Sequence, residues 1–331
     1  MTGKAHVDGV DAPRAQAGPN PQHLLATVLG EYLDSADAEL PSAAVVAVLA
    51  EFGISKASAR AALSRLVRRG LVAVGGRGRS SVYHLTPQAI AGHRSTMHRL
   101  LAFGAVPRPW AGEWLAVSYS LPESREAHRH VVRRTLGALG FVRLYDSVWI
   151  SPDPDPTPAR SALGELLDDV HDARWSVMRV RFDDEAGPHG PAAAYDLEGL
   201  RTAYRAFVDE HAALREAVRA DGVDAARALV ARTTLMDAWR QLVLDDPDLP
   251  LEVLPPAWPR AQARAMLLEV HSALGPLAQE RLVEVMSPAW PDAADWVTHF
   301  VAAADPAEPP RGGRASAAGR PRVPVPAFGN D

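Results

Sequence analysis

The chain has no cysteine in 331 residues. That excludes disulfides, thiolate zinc sites and a cysteine nucleophile. No stretch reaches the ~18 consecutive apolar residues of a membrane span. Met1 to Asn20 is polar, with Gly, Pro and Ala, and lacks the basic-then-apolar build of a secretory signal. It reads as a disordered leader, and a cytoplasmic location is expected. No Gly-x-Ser-x-Gly elbow and no His-Glu-x-x-His pair is present. His128 and His130 lack the i, i+4 spacing of a helical metal pair. No catalytic residue, metal or cofactor is expected.

A further absence is local. From Phe52 to Gly112 there is no Asp or Glu, while Lys56, Arg60, Arg65, Arg68, Arg69, Arg77, Arg79, Arg94, Arg99 and Arg108 all fall there. The whole chain holds 35 basic and 40 acidic residues. The remainder therefore carries about −15, against a purely basic segment. A polyanion is the matching partner, and nucleic acid is the commonest one.

From residue 21 to 110 the pattern predicts four helices and a hairpin, the fourth helix starting at Thr86-Pro87 and running to about Leu101. Leu24, Leu25, Val28, Leu29 and Leu33 have helical spacing. Ser42 is expected to cap a second helix that buries Val45, Val46, Val48 and Leu49 and stops at Gly53. Ser55 caps a third, Lys56 to Arg69, closed by Gly70. Wound at 100° per residue, Ala59, Ala62, Leu63, Leu66 and Val67 face the core. Ala57, Arg60, Ala61, Ser64, Arg65 and Arg68 face outward. Small residues let a helix approach base edges, and arginine can bond guanine O6 and N7 together. Lys56 and Arg69 flank this arc and suit phosphates, and Ser58 is a further polar candidate. Leu71–Val74 and Ser81–Leu85 make a hairpin around a Gly-rich turn. Its tip offers Arg77, Arg79 and Ser80, with the arginines suited to a minor groove. The sum is a winged helix-turn-helix over residues 21–110.

The next segment, 111–190, reads β-α-β-β-α-β, a ferredoxin-like order. Its strands are Trp114–Leu121, Phe141–Leu144, Ser147–Ile150 and Trp175–Phe182. Its helices run from a Ser124 cap to Leu139 and from Ala159 to Val170. Nucleases resembling Cas2 share this order but need a carboxylate at the end of the first strand. Tyr119-Ser120-Leu121 supplies none. Asp153 and Asp155 read as turn-forming acids. A dimerising domain is expected, with a metal-dependent nuclease as the alternative.

Residues 191–301 read as helices. Leu197, Leu200, Tyr204, Phe207, His211, Leu214 and Val218 form one stripe, in which His211 reads as half-buried and hydrogen-bonded. A second helix covers Asp224 to Leu244, and two more are expected over Ala261–Leu274 and Leu277–Val285. Arg232, Trp239, Arg240, Trp258, Arg260 and Arg264 mix aromatic and cationic groups suited to an aromatic acyl group on an anionic carrier. Ordinary core tryptophans beside surface arginines are the competing account. Residues 302–331, rich in Pro, Gly, Ala and Arg, read as a disordered tail.

The run Gly53-Ile54-Ser55 through Ala59 to Gly70, with Tyr83-His84-Leu85-Thr86, resembles the recognition helix and wing of the PaaX family. This is a family of bacterial repressors of phenylacetic acid degradation. Trp239-Arg240, Asp246-Pro247-Asp248-Leu249-Pro250, Leu254-Pro255 and Trp258-Pro259 resemble its C-terminal signature. The resemblance covers about Pro21 to Val285. It implies an α+β multidomain protein: a winged-helix reader, a Cas2-like middle domain and a helical C-terminal domain. It further implies a homodimer on a double-stranded DNA operator, released by an aryl- or acyl-coenzyme A thioester. A nonspecific architectural DNA-binding protein is a further alternative.

Overall fold

Helix α1 (Pro21–Tyr32) begins where the Asn20 side chain accepts the Gln22 N–H and proline takes the first helical position. The computed structural model to which it belongs describes residues 20–77, 80–183 and 190–301. The leader before Asn20 and the tail from 302 lie outside the described residues. Leu24, Leu25, Val28, Leu29 and Tyr32 are the buried stripe of α1.

Strand β1 (Leu40–Pro41) leads into α2 (Ser42–Glu51). Ser42 does not cap this helix. It is the first helical residue, and Pro41 stands at the cap position without a side-chain bond. The reason is tertiary. Leu40 and Pro41 pair with Tyr83 and Val82, which draws Pro41 into extended geometry before the helix starts. Helix α3 (Lys56–Arg68) follows, then β2 (Val72–Arg77), β3 (Ser80–Leu85) and α4 (Pro87–Ala102). The sheet order is β1-β3-β2, so the predicted hairpin gains a third, very short strand.

The next layer contains β4 (Trp114–Ser120), α5 (Glu126–Ala138), β5 (Val142–Tyr145), β6 (Val148–Ser151), α6 (Thr157–Leu167) and β7 (Arg174–Val180). The β-α-β-β-α-β order forms a four-stranded antiparallel sheet with spatial order β5-β6-β4-β7. Ser124 does not cap α5. A 3-10 turn over Glu123–Arg125 takes up that segment, and Arg125 precedes the helix.

Alternation along β4 sends side chains to both faces. Leu115, Val117 and Tyr119 pack with Val132, Leu136, Leu163 and Leu167 of the two helices. Trp114 and Ala116 pack on the other face with Ile150, Leu249, Val253 and Leu254. The C-terminal segment therefore covers the face that the sheet's own helices leave open.

That segment holds α7 (Leu197–Arg219), α8 (Ala225–Asp245) and α9 (Arg260–Met286), each packed on the other two. His211 is half-buried, with Nδ1 2.7 Å from the Phe207 carbonyl. Helix α9 is one element, not the two expected on either side of Pro276. Proline removes one backbone bond and costs ~3 kcal/mol in a helix interior. The helix continues because its buried residues, Met266, Leu267, Val270, Leu274, Ala278 and Leu282, keep one face across the proline. Pro276 itself is exposed.

Candidate nucleic-acid interface

Ser55 starts α3 by accepting the Ser58 N–H at 3.2 Å, and its own hydroxyl donates to Ser58 Oγ at 3.0 Å. Gly53 precedes the cap with φ +72° and Gly70 follows the helix with φ +68°. Both are left-handed turns that a residue without Cβ adopts freely. Ala59, Ala62, Leu63 and Leu66 are buried, and α3 packs on α1 and α2. Val67 is half-buried at the margin.

The opposite face is exposed: Lys56, Ala57, Ser58, Arg60, Ala61, Ser64, Arg65, Arg68 and Arg69. Among the described residues, none of these five cations forms an ion pair with a carboxylate. Among the described residues, no carboxylate neutralises their charge. The arc predicted from helical winding is thus the solvent-facing arc. Ser58 differs from the rest, since its amide and hydroxyl already serve the cap.

Thr86 fastens the hairpin and α4 to the end of α3. Its hydroxyl donates to the Gly70 carbonyl at 3.0 Å and accepts the Ala89 N–H at 3.2 Å. Arg77 and Ser80 are paired positions at the ends of β2 and β3. Their side chains, and Arg79 altogether, lie outside the described residues. Lower in the hairpin, a Cβ on Gly75 would stand 2.5 Å from His84 Nε2, so the two strands pack there through the missing side chain.

The aromatic and cationic candidates of the C-terminal helices lie mostly along the seam with residues 21–104. Trp239 Nε1–H donates to the Leu100 carbonyl at 2.8 Å. Arg264 donates to the Leu101 carbonyl at 3.1 and 3.2 Å. These carbonyls belong to the last turn of α4, where no intrahelical donor remains. Arg260 lies over the Phe103 ring, 5.2 Å from its centroid, and pairs with Asp246 and Asp248. Arg240 reaches His23 Nδ1 at 2.9 Å and Asp237 at 3.2 Å. Trp258 is half-buried, with Tyr204 and Arg201 against its ring.

Arg232 is the deepest of the group, fully buried. It pairs with Glu31 of α1 and donates to the His271 carbonyl at 3.0 Å and the Phe300 carbonyl at 2.8 Å. Tyr32 lies beneath its guanidinium. Burial alone would raise the Glu31 carboxyl, but Arg232 and His271 outweigh it and hold the group below its ordinary range. Burial likewise pushes the His271 imidazole down.

Glu31, His271 and a second pair, Glu51 with Arg281, were not singled out in the sequence. A signal was present: Arg232 stands in the apolar stripe of α8 between Leu229 and Met236. A lone charge there implies a buried partner, but nothing in the pattern names Glu31, 201 residues away.

The acids of the middle segment shape a loop. Ser151 Oγ accepts the Asp153 N–H, Asp153 accepts the Asp155 N–H, and Asp155 accepts the Thr157 N–H. Asp153 also pairs with Arg108 at 3.2 Å.

Residues 20–89 match the PaaX-like protein family, 107–179 the PaaX protein central Cas2-like domain, and 195–284 the PaaX-like protein C-terminal domain. The chain is 25% identical over 268 residues to the transcriptional repressor PaaX of Escherichia coli (strain K12), covering 77% of this chain and 80% of that protein. It is also similar to the uncharacterized protein Rv0674 from Mycobacterium tuberculosis. That structure shares 23% identity and a TM-score of 0.49, covering 78% of this chain and 96% of the other.

Proposed function

The chain belongs to the PaaX family, and on that premise we propose that it is a DNA-binding transcriptional repressor acting as a homodimer on a double-stranded operator. The observation that carries this reading is the outward face of α3. It combines five exposed cations, none paired with a carboxylate among the described residues, with Ala57, Ala61 and Ser64, small enough for close approach to base edges. In this reading α3 is the recognition helix and the β2–β3 hairpin is the wing. Two copies would enter successive major grooves about one helical turn, or a multiple, apart. The Cas2-like middle domain pairs them.

An aryl- or acyl-coenzyme A thioester is the effector class, and an aromatic-acid catabolic operon is the target. The support is the family of the chain, together with the aromatic and cationic groups at the seam behind α3. A ligand that shifts this seam has a mechanical path to the reading helix.

Gel-shift titration with Arg60→Ala, Arg65→Ala and Arg79→Ala tests the DNA assignment. Each should weaken binding to a selected operator, and unchanged affinity in all three removes it. A panel of thioesters and their free acids tests the effector. Thioesters should lower operator affinity while free acids leave it unchanged.

A further inference from the structure

Two acids stand where helix chemistry disfavours them. Glu31 lies in the last turn of α1 and Glu51 ends α2, and neither last turn holds a basic residue. A carboxylate at a helix C-terminus opposes the helix dipole. Each is matched by an arginine from the C-terminal helices: Arg232 of α8 for Glu31 and Arg281 of α9 for Glu51. The local cost is offset only by tertiary contact.

The second pair is a geometric fork. Arg281 Nε lies 2.9 Å from one Glu51 oxygen and Nη2 lies 3.1 Å from the other. Glu284 holds Nη1 at 2.7 Å, which orients the guanidinium. Both side chains are about three-quarters covered (25% and 21% exposed), so solvent screens the pair only in part. A bidentate planar fork fixes direction as well as distance. Helices α1 and α2 are the two on which α3 packs. Neither pair lies on the outward face of α3.

We propose that the Glu51–Arg281 fork, backed by the buried Glu31–Arg232 contact, sets the angle at which the reading helix is presented and so makes the protein selective for the spacing between operator half-sites. This rests on the dimeric repressor reading. Glu51 and Arg281 are positioning residues. A firmly held second reader binds its half-site as an intramolecular event at high effective concentration, and a loosened one loses that advantage.

The test uses the full-length protein and duplexes that the wild type selects from a random library. Affinity is measured for the full site, a single half-site, and a full site with about five base pairs, half a helical turn, inserted between half-sites. Glu51→Gln and Arg281→Met should each lower full-site affinity about tenfold and leave half-site affinity unchanged. Discrimination against the respaced site should fall by the same factor. The double variant should lose no more than either single one, as coupled residues do. Unchanged full-site binding, equal loss on the half-site, or additive losses would each overturn the proposal. Wild type that selects no sequence overturns the repressor reading itself, an outcome distinct from the other three.

Discussion

The indole N–H of Trp239 in α8 closes on the carbonyl of Leu100 in the last turn of α4, at 2.8 Å and in a buried setting. A core residue of one helical layer thus completes the end of a helix in another. Trp239→Phe keeps most of the apolar volume and removes the donor. The orphaned carbonyl should cost about 1–3 kcal/mol. Denaturant unfolding checks this, and a loss well below that range would mean that the bond contributes little.

Glu31 and Arg232 are both fully buried. Glu31→Gln leaves a buried guanidinium without its counter-charge and should destabilise by about 3–5 kcal/mol. Replacing both, with Glu31→Leu and Arg232→Met, should cost less than the single change. Thermal melts of the three proteins decide the order.

Stability should fall on acidification in two stages. His271 is held below its ordinary 6.5 by burial, so the unfolded chain takes up that proton first. Its contribution is complete above pH 6.5 and declines below it. Glu31 is held below its ordinary 4.5 with Arg232 and His271 beside it, so its contribution declines further down, from 4.5 toward its folded value. His93 and His299 are also lowered, first by burial, and add to the upper stage. His271→Gln should flatten the upper stage without abolishing it, as read from unfolding free energy against pH.

On the reading helix the cations should divide by role. Arg60→Ala or Arg65→Ala should cost about 1–3 kcal/mol of binding and relax base preference at one position. Lys56→Ala or Arg69→Ala should weaken all sequences alike and lower the salt slope by about one unit. Titrations on matched and mismatched duplexes at several salt concentrations separate the two. Equal loss of specificity in both sets would break the division.

The outward arc of α3 was legible because it depends on one helix and its spacing. Ser55, Gly53 and Gly70 mark its ends, and Ala59, Ala62, Leu63 and Leu66 mark its core. The β-α-β-β-α-β order was legible for the same reason: strand alternation and helix stripes are local. Ser42 and Ser124 misled because capping competes with tertiary demands. Strand pairing of Pro41 and a 3-10 turn at Glu123–Arg125 decided those ends. Pro276 misled because a proline penalty is local, whereas the packing that holds α9 together comes from α7 and α8.

The sequence by itself determined most of the helices and strands, the acid-free basic segment and the cationic face of α3. Those follow from chain-local periodicity and charge. Only the tertiary structure decided what Arg232, Trp239, Arg240, Arg260, Arg264 and Arg281 do. Most of their partners are backbone carbonyls and carboxylates distant along the chain, Arg240 instead reaching the His23 ring, and a carbonyl left open at a helix end has no residue signature. A buried arginine looks the same in sequence whether it meets a ligand or a Glu31. Folding supplies the difference, because a desolvated charge is tolerated only where the fold delivers its counterpart.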